Sequence, residues 1–173
     1  MAEQSQLIHV LGEWAMRGAF TQLTALRRRG FCDLQMAVNL SPRQFQDPLI
    51  VTTVAEILAD TGMEASHLEL ELTEGAMVGD MDRAVTTLEN LKGQGVRLAI
   101  DDFGTGYSSL SALRQFPIGT LKIDQSFVRA AAETPDGMAI VRTIVEMGRA
   151  LGMDVVAEGV ETPVQLAVLR GLG

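Results

Sequence analysis

Apolar residues recur at helical spacing through Leu7, Val10, Leu11, Trp14, Ala15, Gly18, Leu23 and Leu26, which predicts a helix over 7–29. Arg27-Arg28-Arg29 and Gly30 then suit a helix C-terminus, where cations and a glycine are favoured. A strand over 35–40 follows, broken by Ser41-Pro42. Asp47-Pro48 opens a helix to about residue 60, closed by Gly62. Strict alternation predicts a strand over 68–74, and Asp80 caps a helix to about residue 92. Further strands are expected at 96–100, 120–124 and 154–158. Helices are expected at 108–114, from Thr134-Pro135 to about 151, and from Thr162-Pro163 onward. Strands alternating with helices in this way mean parallel β/α units.

The phase of each strand carries more than its existence. Alternate residues point to opposite faces. Val38 and Leu40, Leu70 and Leu72, Leu98 and Ile100, Leu121 and Ile123, and Val155 with Ala157 form one apolar face, expected to meet the helices. The opposite phase holds Asn39, Glu71 with Thr73, Asp101, Lys122 and Glu158, each at or near a C-terminal strand end. Five strands carrying polar groups in one phase describe a site at the C-terminal mouth of a barrel. Glu69 shares the phase one step deeper, and pairing with Arg97 is one reading of it.

Composition narrows the chemistry. The chain has 173 residues and a formal net charge of -8. This argues against a nucleic acid polymer held through a basic surface, and leaves Arg27-Arg28-Arg29 as a helix end more than a nucleic-acid patch. Cys32 is the single cysteine, so no intrachain disulfide forms and a cytoplasmic setting is expected. His9 and His67 fit no zinc spacing, and no apolar run reaches membrane-spanning length. Several carboxylates converging on one mouth stay ionised only if cations neutralise them. Oxygen ligands with one amide suit Mg²⁺ or Mn²⁺. Asp101 and Asp102, followed by the turn Phe103-Gly104-Thr105-Gly106, could bridge two ions ~3.5–4 Å apart, the spacing used in phosphoester hydrolysis. Lys122 would then hold a nucleophilic water or stabilise phosphoryl charge. The bland alternative is an aspartate capping a strand-to-helix turn.

Five stretches resemble a known family, the EAL domain of bacterial cyclic-di-GMP phosphodiesterases. They are Val38-Asn39-Leu40-Ser41, Glu71-Leu72-Thr73-Glu74, the run from Asp101-Asp102-Phe103-Gly104 to Ser109, Leu121-Lys122-Ile123-Asp124-Gln125-Ser126-Phe127-Val128, and Val156-Ala157-Glu158-Gly159-Val160-Glu161-Thr162. The resemblance implies a TIM-type (β/α)₈ barrel that hydrolyses cyclic-di-GMP to linear pGpG with two Mg²⁺ or Mn²⁺ ions. It implies Asn39, Glu71 and Asp101 as ligands of one metal, and Asp101 with Asp102 as the bridge to the second. Lys122 and Glu158 would orient the attacking water, with Glu158 as general base. Glu74 would hold the loop that includes Gly104, Thr105 and Gly106. Glu161 would act from the substrate side or behind the ligands, and a homodimer would form through the loop after Asp102. A GGDEF or sensor domain in the parent protein is a further expected partner.

The Glu-Ala-Leu signature of that family is absent from 1–173. The resemblance places it before Met1, with a phosphate-binding arginine, and places a last strand with its glutamine after Gly173. The expected barrel is therefore incomplete, with about five β/α units and without its first two strands and its last. This puts the activity of the chain by itself in doubt. The competing reading is a non-catalytic module that binds cyclic-di-GMP or a partner protein. A lyase or aldolase with Lys122 as Schiff base is a weaker third, because carboxylates crowd that lysine.

Overall fold

The computed structural model describes residues 7–77, 79–106 and 110–173. Five parallel strands form one sheet in the order β1(Met36–Asn39), β2(Leu68–Thr73), β3(Arg97–Phe103), β4(Thr120–Ile123) and β5(Asp154–Ala157). The strands are adjacent in space in the order in which they occur in the chain, as in a wound β/α barrel wall. Among the described residues β1 and β5 are the two edges of the sheet.

Helices α1(Leu7–Arg28), α2(Pro42–Phe45), α3(Ile50–Thr61), α4(Met81–Gly93), α5(Leu110–Leu113), α6(Gln125–Glu133), α7(Pro135–Leu151) and α8(Pro163–Arg170) complete the fold. Their starts are set by local chemistry. Asp80 accepts a hydrogen bond from the Arg83 N–H at 3.1 Å and caps α4. Thr134 caps α7 with Pro135 at its first position, and Thr162 with Gln165 forms a capping box on α8. Asp47 accepts from the Leu49 N–H at 2.9 Å, so α3 begins at Ile50, beyond the Asp47-Pro48 start expected from the sequence. Helix α6 and the one-turn α2 were not anticipated. No helix among the described residues is long and apolar enough to cross a membrane.

The expected apolar face is the core. Leu70, Leu72, Leu98, Ile100, Leu121 and Ile123 are buried against Phe20 and Leu23 of α1, Val54 and Ile57 of α3, Leu88 and Leu91 of α4, and Val141 and Ile144 of α7. Val38, Val155 and Ala157 pack at its margin, and Leu40 lies within it. Burying each such side chain contributes about 1.5–3 kcal/mol, which holds the sheet in the register that aims the opposite face. That face carries Ala99, Thr120 and Lys122, all buried but apart from the apolar core. At its lower end Glu69 accepts a hydrogen bond from Thr120 Oγ1 at 2.9 Å and lies 3.8 Å from Arg97 Nε.

Candidate active site

Strand β3 departs from regular alternation where it matters most. Ile100 lies opposite Leu121, and the next paired position is Phe103 opposite Ile123. Asp101 and Asp102 therefore share the space opposite Lys122 alone, which is a β-bulge. Asp102 has φ 51°, the one described non-glycine residue in the left-handed region. Aspartate tolerates that conformation better than most residues, and it costs on the order of 1–3 kcal/mol. Without the bulge, two adjacent carboxylates would point to opposite faces of the sheet. With it, one oxygen each of Asp101, Asp102 and Glu158 fall within 4.8 Å of one another.

Lys122 stands beside this trio. Its Nζ lies 2.8 Å from Glu71 Oε1, 2.9 Å from Asp101 Oδ1 and 2.7 Å from Glu158 Oε1. Lys122 and Glu71 are both buried. Burial alone would lower the lysine pKa. Hydrogen bonds to Glu158, Glu71 and Asp101 outweigh it and hold the ammonium above its ordinary value. Asp101 Oδ1 is fully buried and has the Lys122 ammonium 2.9 Å away as its ion-pair partner.

The second aspartate is in the opposite condition. Asp102 has its pKa raised, first by burial and then by the charges of Asp101, Asp124 and Glu158. It hydrogen bonds with Asp124. Asp124 is lowered, because the Ser126 hydroxyl and the Ser126 N–H both donate to it. Asp124 also caps α6. Asp102, Asp124, Gln125 and Glu158 line a cavity of about 440 Å³ with Val156, Ala157 and Gly159. Asp124 and Gln125 had been noticed only as part of a longer motif. The available signal was phase, since Asp124 lies two residues after Lys122 on the same face.

The remaining expected residues are distributed around this centre. Asn39 ends β1 in register with Glu71, and is exposed. Thr73 lies opposite Asp101. Glu74 is buried, and its Oε1 accepts from the Gly104 N–H at 2.6 Å. A Cβ on Gly104, at φ 98°, would sit 2.7 Å from the Phe127 ring, and one on Gly106 would sit 2.7 Å from Glu74 Oε2. Thr105 Oγ1 donates to the Asp102 carbonyl at 2.8 Å, tying the loop back to the bulge. Tyr107, Ser108 and Ser109, the rest of the expected loop, lie outside the described residues. Glu161 is exposed in the turn before α8, and is not among the carboxylates within ion-pair distance of Lys122.

The donor set is made wholly of oxygens, three of them converging carboxylates beside a left-handed backbone turn. Hard divalent cations fit it, and soft metals do not. Lys122 supplies one positive charge against Glu71, Asp101, Asp102 and Glu158, an excess of negative charge that bound cations would offset.

Known proteins share the sequence and the fold of this chain. An uncharacterized signaling protein of Caulobacter vibrioides is 47% identical over 171 residues, covering 99% of this chain and 21% of the relative. The bifunctional diguanylate cyclase/cyclic di-GMP phosphodiesterase MucR of Pseudomonas aeruginosa is 43% identical over 173 residues, covering 100% of this chain and 25% of that protein. The chain thus spans about a fifth to a quarter of the length of these curated relatives. A solved PaMucR phosphodiesterase in complex with c-di-GMP superposes with a TM-score of 0.95 at 44% identity, over 99% of this chain and 70% of that one. A Klebsiella pneumoniae BlrP1 manganese/cy-diGMP complex superposes with a TM-score of 0.84 at 32% identity, over 95% of this chain and 42% of that one. The EAL domain model matches residues 1–173. With its polar strand ends, its bulged aspartate pair and a family match along its whole length, this chain belongs to the EAL domain family.

Proposed function

We propose that this chain forms the catalytic wall of a cyclic-di-GMP phosphodiesterase, which opens the cyclic dinucleotide to linear pGpG with two divalent cations. The observation that carries this reading is the bulge that brings Asp101, Asp102 and Glu158 within 4.8 Å of one another beside Lys122. The similarity to MucR, to the PaMucR phosphodiesterase solved with c-di-GMP and to the BlrP1 manganese/cy-diGMP complex supports it.

In this reading Asn39, Glu71 and Asp101 would hold one Mg²⁺ or Mn²⁺, and Asp102 with Asp101 would hold a second. When bound, the cations neutralise the carboxylates and supply the Lewis acidity that phosphodiester hydrolysis needs. Glu158 orients the attacking water and accepts its proton as the oxygen-to-phosphorus bond forms. Lys122, charged throughout the neutral range, stabilises the negative charge growing on phosphoryl oxygen. The bond from phosphorus to the 3′ oxygen breaks, and that oxygen takes a proton from solvent. Asp124 holds Asp102 in its left-handed geometry, while Glu74 holds the loop at Gly104. That loop would also carry the homodimer contact, and a GGDEF or sensor domain would lie elsewhere in the parent protein, acting in the cytoplasm.

The test is Asp101→Asn in a chain extended to full domain length, assayed for hydrolysis of cyclic-di-GMP with Mn²⁺. Losing the shared ligand's charge should remove activity, because each lost contact to a charged group costs about 1.5–3 kcal/mol and two ions depend on it. Wild-type rates at low Mn²⁺ in this variant would overturn the assignment. Tight binding of cyclic-di-GMP by the wild type with no turnover would favour the non-catalytic module instead.

A further inference from the structure

The cavity beside the acidic trio has one hydrogen-bonding wall residue that the chemistry above leaves unused. Gln125 is the first residue of α6 and lines the cavity with Asp102, Asp124 and Glu158. Its backbone N–H is committed to the Asp124 carboxylate. Its side chain is exposed and has no hydrogen-bond partner among the described residues.

This side chain is also held in place. Gly159 directly follows Glu158 and has φ 64°. A Cβ on Gly159 would lie 2.6 Å from Gln125 Cβ and 3.4 Å from Gln125 Oε1. The stem of Gln125 therefore rests on bare backbone, in a space that any larger residue at 159 would take. Glu158, Gly159 and Gln125 thus lie side by side on one wall of the cavity.

We propose that Gln125 binds the edge of a guanine base of the substrate; this rests on the phosphodiesterase reading. A carboxamide offers one acceptor and one donor side by side. They match guanine N1–H and O6 as a bidentate pair. Turned over, the amide would pair equally with adenine. The neighbouring wall decides between them, because the Asp124 carboxylate, which is neither a proposed metal ligand nor the proposed base, is an acceptor beside Gln125 and favours the donor-rich N1–H and N2–H edge of guanine. A free phosphate is a poor occupant for this corner, since carboxylates repel it away from the cations.

Gln125→Met keeps the length of the side chain and removes both hydrogen-bonding groups. With Mn²⁺ it should raise the KM for cyclic-di-GMP about fivefold to tenfold, the worth of a lost neutral pair, with kcat falling far less. Discrimination against cyclic-di-AMP should narrow by a similar factor. Gly159→Ala should raise the KM by displacing Gln125, and the double variant should show no further rise, as expected for two residues acting through one contact. An unchanged KM in Gln125→Met, with the wild type hydrolysing cyclic-di-GMP, would overturn this inference and leave the phosphodiesterase reading standing. If the wild type binds without turnover, equilibrium dialysis replaces the KM, and equal affinities of wild type and Gln125→Met would overturn the inference. No binding by the wild type would overturn both readings.

Discussion

Replacing Lys122 by methionine removes the single cation from a nest of carboxylates while nearly preserving side-chain length. In the wild type, Nζ touches Glu71, Asp101 and Glu158 at 2.8, 2.9 and 2.7 Å. Any two of those three oxygens therefore lie within about 6 Å, and at an effective dielectric constant of ~20 each pair repels by about 3 kcal/mol. The variant would not bear all of that repulsion, because it can take up a proton. Protonating one glutamate at pH 7, against an ordinary pKa of about 4.3, costs about 3.7 kcal/mol. Glu158 is the most exposed of the three and can turn toward water, which discounts the figure further. A loss of about 3 kcal/mol follows, at the lower end of what breaking a buried ion pair costs. With a urea m-value of about 2 kcal/mol/M, the unfolding midpoint should fall by about 1.5 M at pH 7 in metal-free buffer. At pH 5 the loss should shrink, since the proton is then cheaper. Adding Mn²⁺ should restore part of the midpoint by replacing the missing positive charge. A midpoint within about 0.3 M of wild type at pH 7, or a shift that ignores both pH and Mn²⁺, would refute the reasoning. The wild-type sign is also defined. The lysine pKa is raised on folding, so its stabilisation is complete below the unfolded value of about 10.4 and is lost only as pH climbs through the folded value.

Two further variants separate stability from function. Asp102 has its pKa raised in the folded state, chiefly by burial, so the ionised form is penalised and stability falls as pH rises through that pKa. Asp102→Asn should therefore raise the melting temperature of the metal-free protein at pH 7 and abolish phosphodiesterase activity, and the stability gain should vanish at pH 4; a lower melting temperature at pH 7 would contradict this. Glu74→Ala removes the acceptor of the Gly104 N–H and should cost about 1–3 kcal/mol, with weakened activity and a weaker dimer; unchanged kinetics together with unchanged mass by light scattering would count against a role in holding the loop.

Much of this protein was legible in one dimension because sheet geometry has a strict period. Alternation along β2 separates Leu70 and Leu72 from Glu71, and the structure buries the leucines against helices and turns Glu71 to the opposite face. The same arithmetic placed Lys122 opposite Leu121 and Ile123 in phase, and the strand order followed from regular β/α alternation. Helix α6 escaped because its start coincides with the end of β4, where Asp124 is both strand exit and cap. Beyond its three alanines its apolar residues are only Phe127 and Val128, too few to declare a period beside the longer α7.

The site itself needed the third dimension. Period-two reasoning puts Asp101 and Asp102 on opposite faces, and only the pairing of β3 with β4 reveals the extra residue that lets both approach Glu158. Likewise, Glu158 was expected beside the water. Its joining of the two aspartates depends on how far β5 extends, through the Glu158 N–H donating to the Ile123 carbonyl at 3.1 Å. The Gln125 and Gly159 contact joins the start of α6 to the turn after β5, more than thirty residues apart in the chain. A sequence specifies which residues can share a face, because that depends on local backbone repeat. Which of them share a point depends on register between strands, and register is set by the packing of the whole core.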